Sequence, residues 1–377
     1  MKIKMKKILF LTGTRADFGK IKPLISILEK HQDFEVFVFV TGMHLQKEYG
    51  YTLIEIDRCN FKNVHTFENH THETTMDLTL AKTIEGLSSY IKTIHPDLII
   101  VHGDRVETLA GAIVGSLNNV LVAHIEGGEL SGTVDELIRH SVSKLSHIHF
   151  VANANAAKRL LQMGEIKSSI FTIGSPDIDI MFSGDLPSLE IAKNYYQIPF
   201  DTFAIVMFHP VTTEVNEMKE YVDDFVDVLL NDTHNYIVIY PNNDLGSQYI
   251  IEKYKQLYDN ARFRIFPSLR FEYFLVLLKN SQFIIGNSSA GIREAPYYGI
   301  PIINIGTRQQ NRAVHSDIIN VDYSKKSIEM ALKNIDGHQV QESKVDFGQG
   351  NSAQLFLESI ENPAIWKVNH QKQFRDS

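Results

Sequence analysis

One repeated pairing constrains this chain more than any other feature. A short, wholly apolar, β-rich run is followed at once by a cluster of glycine and polar residues. In the first half the runs fall at 8–12, 36–41, 98–102, 120–125, 148–152 and 170–173, with helical patterns at 20–30, 78–94, 107–117 and 134–145. A second series has runs at 203–208, 236–240, 263–266, 283–285 and 302–305, separated by helical stretches at 217–230, 248–257, 271–278 and 327–334. Strands that are apolar throughout, rather than alternating, suit a parallel sheet covered on both faces. The connections are long enough for right-handed crossover helices. Clusters of glycine, proline and serine between 174 and 188 read as a hinge and linker. The predicted architecture is two doubly wound α/β domains facing each other across a cleft, the first over residues 1–175 and the second from 176.

Composition enters as a set of exclusions. At 377 residues, with 44% hydrophobic and 22% charged, the chain has material for two cores. A net charge of −8 argues against general affinity for nucleic acid or an anionic membrane. No apolar stretch approaches the ~20 residues of a membrane span, and the N-terminal run lacks the features of a signal peptide. The single cysteine, Cys59, excludes an intrachain disulfide and fits a reducing compartment. The expected setting is the cytoplasm.

The polar clusters all follow predicted strands, and ligands of open parallel sheets bind beyond the carboxyl ends of strands. Gly286 to Gly291, with Ser288 and Ser289, opens a helical stretch containing Glu294. Exposed backbone N–H groups and a helix N-terminus there suit a phosphate, with Glu294 placed for ribose hydroxyls. The same loop reads equally well as a serine-capped tight turn. It is neither a Walker loop nor a dinucleotide fingerprint, which disfavours ATP hydrolysis and nicotinamide redox chemistry. Arg15, His209 and Arg308 also follow strand ends and offer partners for a diphosphate; a surface ion pair is the alternative for each arginine. Asp104, Glu126, Glu129 and Asp135 form an acidic set suited to moving protons. Asp135 and Arg139, spaced i, i+4, share a helical face and read also as a simple salt bridge. His102, His124, His140, His147 and His149 lie near this set, but no zinc framework is visible, so they are read as pocket histidines and no metal is expected.

With these residues in hand, the chain resembles the hydrolysing UDP-N-acetylglucosamine 2-epimerases, the bacterial sialic acid pathway enzymes and the matching domain of the animal bifunctional epimerase/kinase. The resemblance runs over nearly the whole chain. It is carried by Gly13-Thr14-Arg15-Ala16-Asp17, Thr41-Gly42-Met43-His44, His102-Gly103-Asp104-Arg105, His124 through Glu126-Gly127-Gly128-Glu129 to Asp135 and Arg139-His140, His209-Pro210-Val211-Thr212-Thr213, Gly286 to Glu294, and Gly306-Thr307-Arg308-Gln309. Non-hydrolysing relatives usually carry Gln where Met43 stands, Thr where Arg105 stands and Glu-Ala-Gly-Leu in place of Glu126 to Glu129.

The resemblance implies a glycosyltransferase-B-like pair of Rossmann domains, 1–175 and 176–352, with a C-terminal helix in 353–377 crossing back to the first. It implies that Arg15, Arg105, His209, Asn242, Phe274, Ser288, Ser289, Glu294 and Arg308 hold UDP. For Phe274 an ordinary core aromatic is the alternative reading. It places Asp104, Glu126, Asp135, Arg139 and His209 at the chemistry, with His102, His124, His147 and His149 around the sugar. UDP-N-acetylglucosamine is the implied substrate and UDP a product. No cofactor is implied, and the chain is expected to form a homo-oligomer, commonly a dimer.

Overall fold

The computed structural model describes residues 5–70, 75–131, 134–309, 318–335 and 347–373. The chain divides into two compact units, one formed by 1–129, 135–184 and 346–377, the other by 130–134 and 185–345.

The first unit is built on a seven-stranded sheet. Its strands are β1 (Lys6–Thr12), β2 (Phe34–Val40), β3 (Val64–Thr66), β4 (Leu98–His102), β5 (Leu121–Ile125), β6 (Ile148–Val151) and β7 (Ile170–Thr172). They are ordered β3-β2-β1-β4-β5-β6-β7, and every pairing is parallel. The second unit carries a six-stranded sheet of β8 (Ala204–Met207), β9 (Tyr236–Ile239), β10 (Phe263–Phe266), β11 (Ile284–Gly286), β12 (Ile302–Ile305) and β13 (Ile318–Val321). Its order is β10-β9-β8-β11-β12-β13, again wholly parallel. In each sheet the order in which strands are added therefore reverses once, between β1 and β4 in the first unit and between β8 and β11 in the second. Crevices for ligands open at such switch points.

The continuous apolar runs are explained by burial on both faces. Ile8, Phe10, Leu24, Val38, Ile100, Ile125 and Phe150 belong to one core, and Val206, Phe225, Tyr236, Val238, Ile285 and Ile303 to the other. The first core is completed from far along the chain, because Phe356, Ile360 and Ile365 pack into it. The returning segment is fastened by Asp179, whose two carboxylate oxygens accept from the N–H groups of Ser352 and Ala353 at 2.8 and 2.7 Å, at the start of the helix Ser352–Glu361.

This fastening changes the reading of 174–188. The stretch predicted as a hinge begins with Ser175, fully buried, whose N–H donates to the Phe347 carbonyl at 2.6 Å. It continues as the helix Pro176–Met181, with proline at the helix start where its missing N–H costs nothing. Residues 174–181 are thus an integral part of the first unit.

Candidate active site

At the switch point of the first unit, β4 ends in His102 and turns through Gly103, at φ +77°, to present Asp104. Next to it β5 ends in Ile125, and Glu126 follows at φ +66°, a left-handed conformation unusual for a residue with a side chain. The turn continues through Gly128, at φ +75°, where a Cβ would lie 2.3 Å from the Ala156 carbonyl oxygen. Only glycine fits there, and the turn aims the Glu126 carboxylate inward.

Three basic side chains approach these carboxylates. Arg139, delivered by the helix Val134–Leu145, donates from one guanidinium nitrogen to Asp104 Oδ2 and from another to the Glu126 carbonyl. The Lys20 ammonium lies 3.0 Å from Glu126 Oε1 and 3.7 Å from Asp177 Oδ2. His102 Nε2 approaches Glu126 Oε1 to 3.3 Å, and the Ser175 hydroxyl donates to it at 3.4 Å. Side-chain exposure falls from 19% for Asp104 to 6% for Glu126 and 1% for Arg139. Buried charges persist only when paired, and here the pairing leaves Asp104 as the more open carboxylate above a more deeply set Glu126. Asp135, half-buried, sits in the first turn of the same helix as Arg139.

His124 is a fixed neutral support. Burial holds its imidazole down at about 3. Its Nε2–H donates to the Gly103 carbonyl at 2.8 Å, and its Nδ1 accepts from the Ser143 hydroxyl at 3.0 Å. His44 is similar, pushed by burial down to about 3 and placed between Thr12 and Thr52. His147 and His149 are not part of this cluster. His147 Nδ1 accepts from the Val122 N–H and its Nε2 donates to the His370 carbonyl, while His149 donates to the Glu165 carboxylate. His140, exposed, pairs with Glu136 one turn away. Alternation along the strand puts 147 and 149 on one side, but that side is filled by the chain's own groups.

The predicted phosphate-binding arginines of this unit already have carboxylate neighbours. Arg15 lies 3.6 Å from Glu55, and Arg105 Nε lies 3.5 Å from Glu107. Glu107, 2% exposed, fills the space over Gly13 and Gly42, where added Cβ atoms would come within 2.9 and 2.7 Å of it. Lys20, Glu107 and Ser175 carry no signal in the sequence. Periodicity gives the side of a helix a residue lies on, and not the carboxylate it meets.

The switch point of the second unit is held mainly by amides. His209 exchanges two hydrogen bonds with the buried Asn287 side chain, its N–H donating to Oδ1 at 2.7 Å and its carbonyl accepting from Nδ2 at 2.9 Å. The Asn242 N–H donates to His209 Nδ1 at 3.0 Å, which leaves the proton of the neutral ring on Nε2. The Asn242 side chain donates to Asp244, and its buried Oδ1 has no hydrogen-bond partner among the described residues. The Asn287 carbonyl accepts from Arg308 at 3.3 Å and from Gln309 at 2.8 Å. Asn287 therefore ties together the loops after β8, β11 and β12, a role its position between Gly286 and Ser288 does not announce.

Gly286 is obligatory. It sits at φ +138°, and a Cβ there would lie 2.0 Å from the Met207 carbonyl oxygen. Ser288 Oγ accepts from the Ala290 N–H at 3.3 Å, a local turn contact, but the helix N-cap is Ser289, whose side chain makes no capping hydrogen bond, so Ser288 is not the cap expected as the alternative. Ser289 is half-buried, Glu294 is 4% exposed and Phe274 is 7% exposed within the helix Phe271–Lys279. The expected helix N-terminus is shorter than the sequence implies. The helix Ala290–Arg293 is a single turn, because Pro296 cannot donate to continue it. A macrodipole needs aligned peptides, so the donors here are individual N–H and O–H groups. Glu214 accepts from Thr307 at 2.6 Å and Tyr323 at 2.8 Å, and the Tyr323 ring occupies the space beside Gly306.

Among the described residues, no group of three or more His, Cys, Asp or Glu side chains is arranged to hold a metal ion, and no helix is long and apolar enough to cross a membrane.

Known proteins give this geometry its context. A protein of Neisseria meningitidis serogroup B named UDP-N-acetylglucosamine 2-epimerase is 50% identical over 375 residues, covering 99% of each chain. A Legionella pneumophila protein named UDP-N,N'-diacetylbacillosamine 2-epimerase (hydrolyzing) is 33% identical over 333 residues, covering 87% of this chain and 88% of its own. Among solved structures, the Methanocaldococcus jannaschii UDP-GlcNAc 2-epimerase in complex with UDP-GlcNAc and UDP superposes with a TM-score of 0.79 at 22% identity, over 94% of this chain and 99% of that one. The S. aureus MnaA–UDP structure gives 0.75 at 22% identity, over 99% and 100%. The fold is thus that of the glycosyltransferase-B-like 2-epimerases. The model of the UDP-N-acetylglucosamine 2-epimerase family matches residues 26–361, and the chain belongs to that family.

Proposed function

We propose that this protein is a hydrolysing UDP-N-acetylglucosamine 2-epimerase, converting the nucleotide sugar and water to N-acetylmannosamine and UDP in sialic acid biosynthesis. The observation that carries the reading is the carboxylate pair of Asp104 and Glu126, fixed by Arg139 and Lys20 at the switch point of the first unit. A carboxylate held within such a network takes or returns a proton at a defined place, the requirement of acid–base chemistry at a sugar carbon. In the first step a base of this cluster removes the C2 proton while the C1–O bond to UDP breaks, giving 2-acetamidoglucal. In the second, water adds its oxygen to C1, and a proton returns to the opposite face of C2. Asp104, the more exposed carboxylate, meets the sugar, with Asp135 nearby on the Arg139 helix. Arg139 and Lys20 hold Asp104 and Glu126 in place. His209, through its Nε2–H, and Arg308, Ser289, Asn242 and Glu294 take the UDP half. Arg15 and Arg105 add cations from the first unit, and Phe274 packs near the base.

The hydrolysing branch is supported by Met43, Arg105 and the run Glu126-Gly127-Gly128-Glu129, and by the similarity to the Legionella protein. That similarity also favours a second reading, the same chemistry on a UDP-linked diacetamido sugar. We place the enzyme in the cytoplasm as a homodimer, for which light scattering should give twice 42.9 kDa.

The test is incubation with UDP-N-acetylglucosamine in heavy water and, separately, in oxygen-18 water. The expected product is free N-acetylmannosamine with one deuterium at C2, oxygen-18 at C1 when read promptly, and unlabelled UDP. UDP-N-acetylmannosamine as the sole product would place the enzyme in the non-hydrolysing branch. Retention of the original C2 hydrogen would rule out elimination. Label in the UDP phosphate would mean cleavage at phosphorus. Turnover only with the diacetamido sugar would select the second reading.

A further inference from the structure

The carboxylate cluster is anchored from a distant part of the chain. The Lys372 ammonium is seated on three acceptors of the first unit: the Ser146 carbonyl at 2.6 Å, the Ser143 carbonyl at 3.3 Å and Glu165 Oε2 at 2.6 Å. The first two lie at the C-terminal end of the helix Val134–Leu145, where carbonyls are left without intrahelical partners and a cation is favourable. Glu165 is shared. Lys144 donates to it at 2.8 Å and His149 at 3.0 Å, and its side chain is only 2% exposed. A backbone contact from the same segment reinforces the seat, as His147 donates to the His370 carbonyl at 3.0 Å.

That helix is the one that carries Arg139. One turn on, on the same face, Ser143 donates to His124 Nδ1, and His124 in turn donates to the Gly103 carbonyl, next to Asp104. The helix end that Lys372 holds is thus joined to Asp104 by two routes. One runs through the Arg139 guanidinium, which also holds the Glu126 carbonyl. The other runs through Ser143, His124 and Gly103.

We propose that Lys372 is a positioning residue for the carboxylate cluster: by clamping the end of the Val134–Leu145 helix against Glu165 it sets where Arg139 and Ser143 stand, and through them Asp104 and Glu126. The proposal rests on the acid–base role given to those carboxylates above. Small displacements of groups far from the reacting atoms are enough to slow chemistry strongly. The Lys372 ammonium is taken up by Ser143, Ser146 and Glu165, and its removal acts on turnover while leaving the second unit as it is.

The experiment uses the full-length chain carrying Lys372→Met, with Lys372→Gln beside it, whose amide still donates to carbonyls and keeps the helix end capped. Hydrogen exchange read by mass spectrometry should show faster exchange of the amides from 139 to 146 in Lys372→Met than in the parent. With UDP-N-acetylglucosamine, kcat should fall by about tenfold or more, while UDP binds with unchanged affinity in calorimetry. Lys372→Gln should fall between the two proteins in both readouts, and it alone carries the test if the methionine variant does not fold. Unchanged exchange over 139–146 overturns the clamp. Faster exchange with unchanged kcat also overturns it, since the contact would then anchor the chain without positioning anything. If the parent protein turns over no UDP-sugar, the failure lies with the proposed reaction, and the exchange measurement still decides the clamp.

Discussion

The two units share one strand order over six strands, with β7 added at one edge of the first, and both reverse the order of addition beside their first strand, yet they furnish their switch points differently. The edge of the first is a network of charges, with Lys20 and Arg139 against Glu126 and Asp104, and Arg105 beside Glu107. The loops of the second are joined mainly by neutral groups, the Asn287 amide against the His209 backbone, the Asn242 N–H on an imidazole and a glycine pressed against a carbonyl, with Arg308 and Glu214 as single charges bonded to neutral partners. Topology says where a ligand goes, and the residues at the strand ends say what happens to it. In the function proposed above, the paired charges of the first unit serve proton transfer. Neutral donors fixed by the backbone suit an anion that must be held and later released.

The sharpest way to break this comparison is at the carboxylates. Asp104→Asn and Glu126→Gln should each lower kcat by about two to four orders of magnitude with little change in UDP affinity. Equal losses in turnover and in UDP binding would erase the division of labour. Next in size is Gly286→Ala. With φ at +138° and the Met207 oxygen 2.0 Å from the new methyl group, the second unit should lose about 3 kcal/mol of stability, measured by urea unfolding. A neutral outcome would mean the loop has room to move. Arg308→Ala follows, raising the Kd for UDP by about tenfold, as expected for a lost charged hydrogen bond, with kcat at saturation unchanged.

Acid distinguishes the units more gently. Burial holds His44 and His124 at about 3, against 6.5 for a free imidazole. The unfolded chain therefore takes up these protons first. Stability from these groups is complete above pH 6.5 and declines as pH falls toward 3, by about 1.4 kcal/mol per pH unit for each histidine. Glu165 adds to the slope below its ordinary value of 4.5: burial raises its carboxyl, but His149, Lys144 and Lys372 outweigh that and hold it at about 2. All three groups lie in the first unit, so calorimetry across this range should show its transition moving first. The smallest effect is at Thr14, whose side chain accepts from the Asp17 N–H in a reciprocal capping box. Thr14→Ala should cost about 1 kcal/mol, seen as a small drop in Tm.

Much of the fold was legible because parallel strands buried on both faces leave unbroken apolar runs, as at 98–102 and 302–305. The strand Val64–Thr66 was not, since it lies at a sheet edge, half exposed, and includes a histidine and a threonine. The residues grouped around Asp104 and Glu126 were visible as polar clusters after strands. Their division into acting and holding groups was not. Arg139 reads in sequence as a partner of Asp135 one turn away, and only the three-dimensional arrangement shows it reaching across to two strand ends. Lys20 sits in a helix whose apolar spacing says nothing of Glu126, a contact 106 residues distant. His147 and His149 share a side by alternation, but which groups fill that side depends on residues as far along as His370 and Lys372.

The discontinuity of the first unit sets an order on biosynthesis. A ribosome delivers the chain from its N-terminus, and domains form as their residues emerge. The second unit draws almost all of its chain from one stretch, 185–345, and all residues of its core precede Phe356. The first begins to emerge earlier yet lacks Phe356, Ile360 and Ile365 until all of 185–345 has been made. For the whole time the second unit is being translated, the apolar surface those side chains will cover has no native partner. Until residues 346–365 follow, the nascent chain is therefore most exposed to chaperones, and to aggregation, in the first unit.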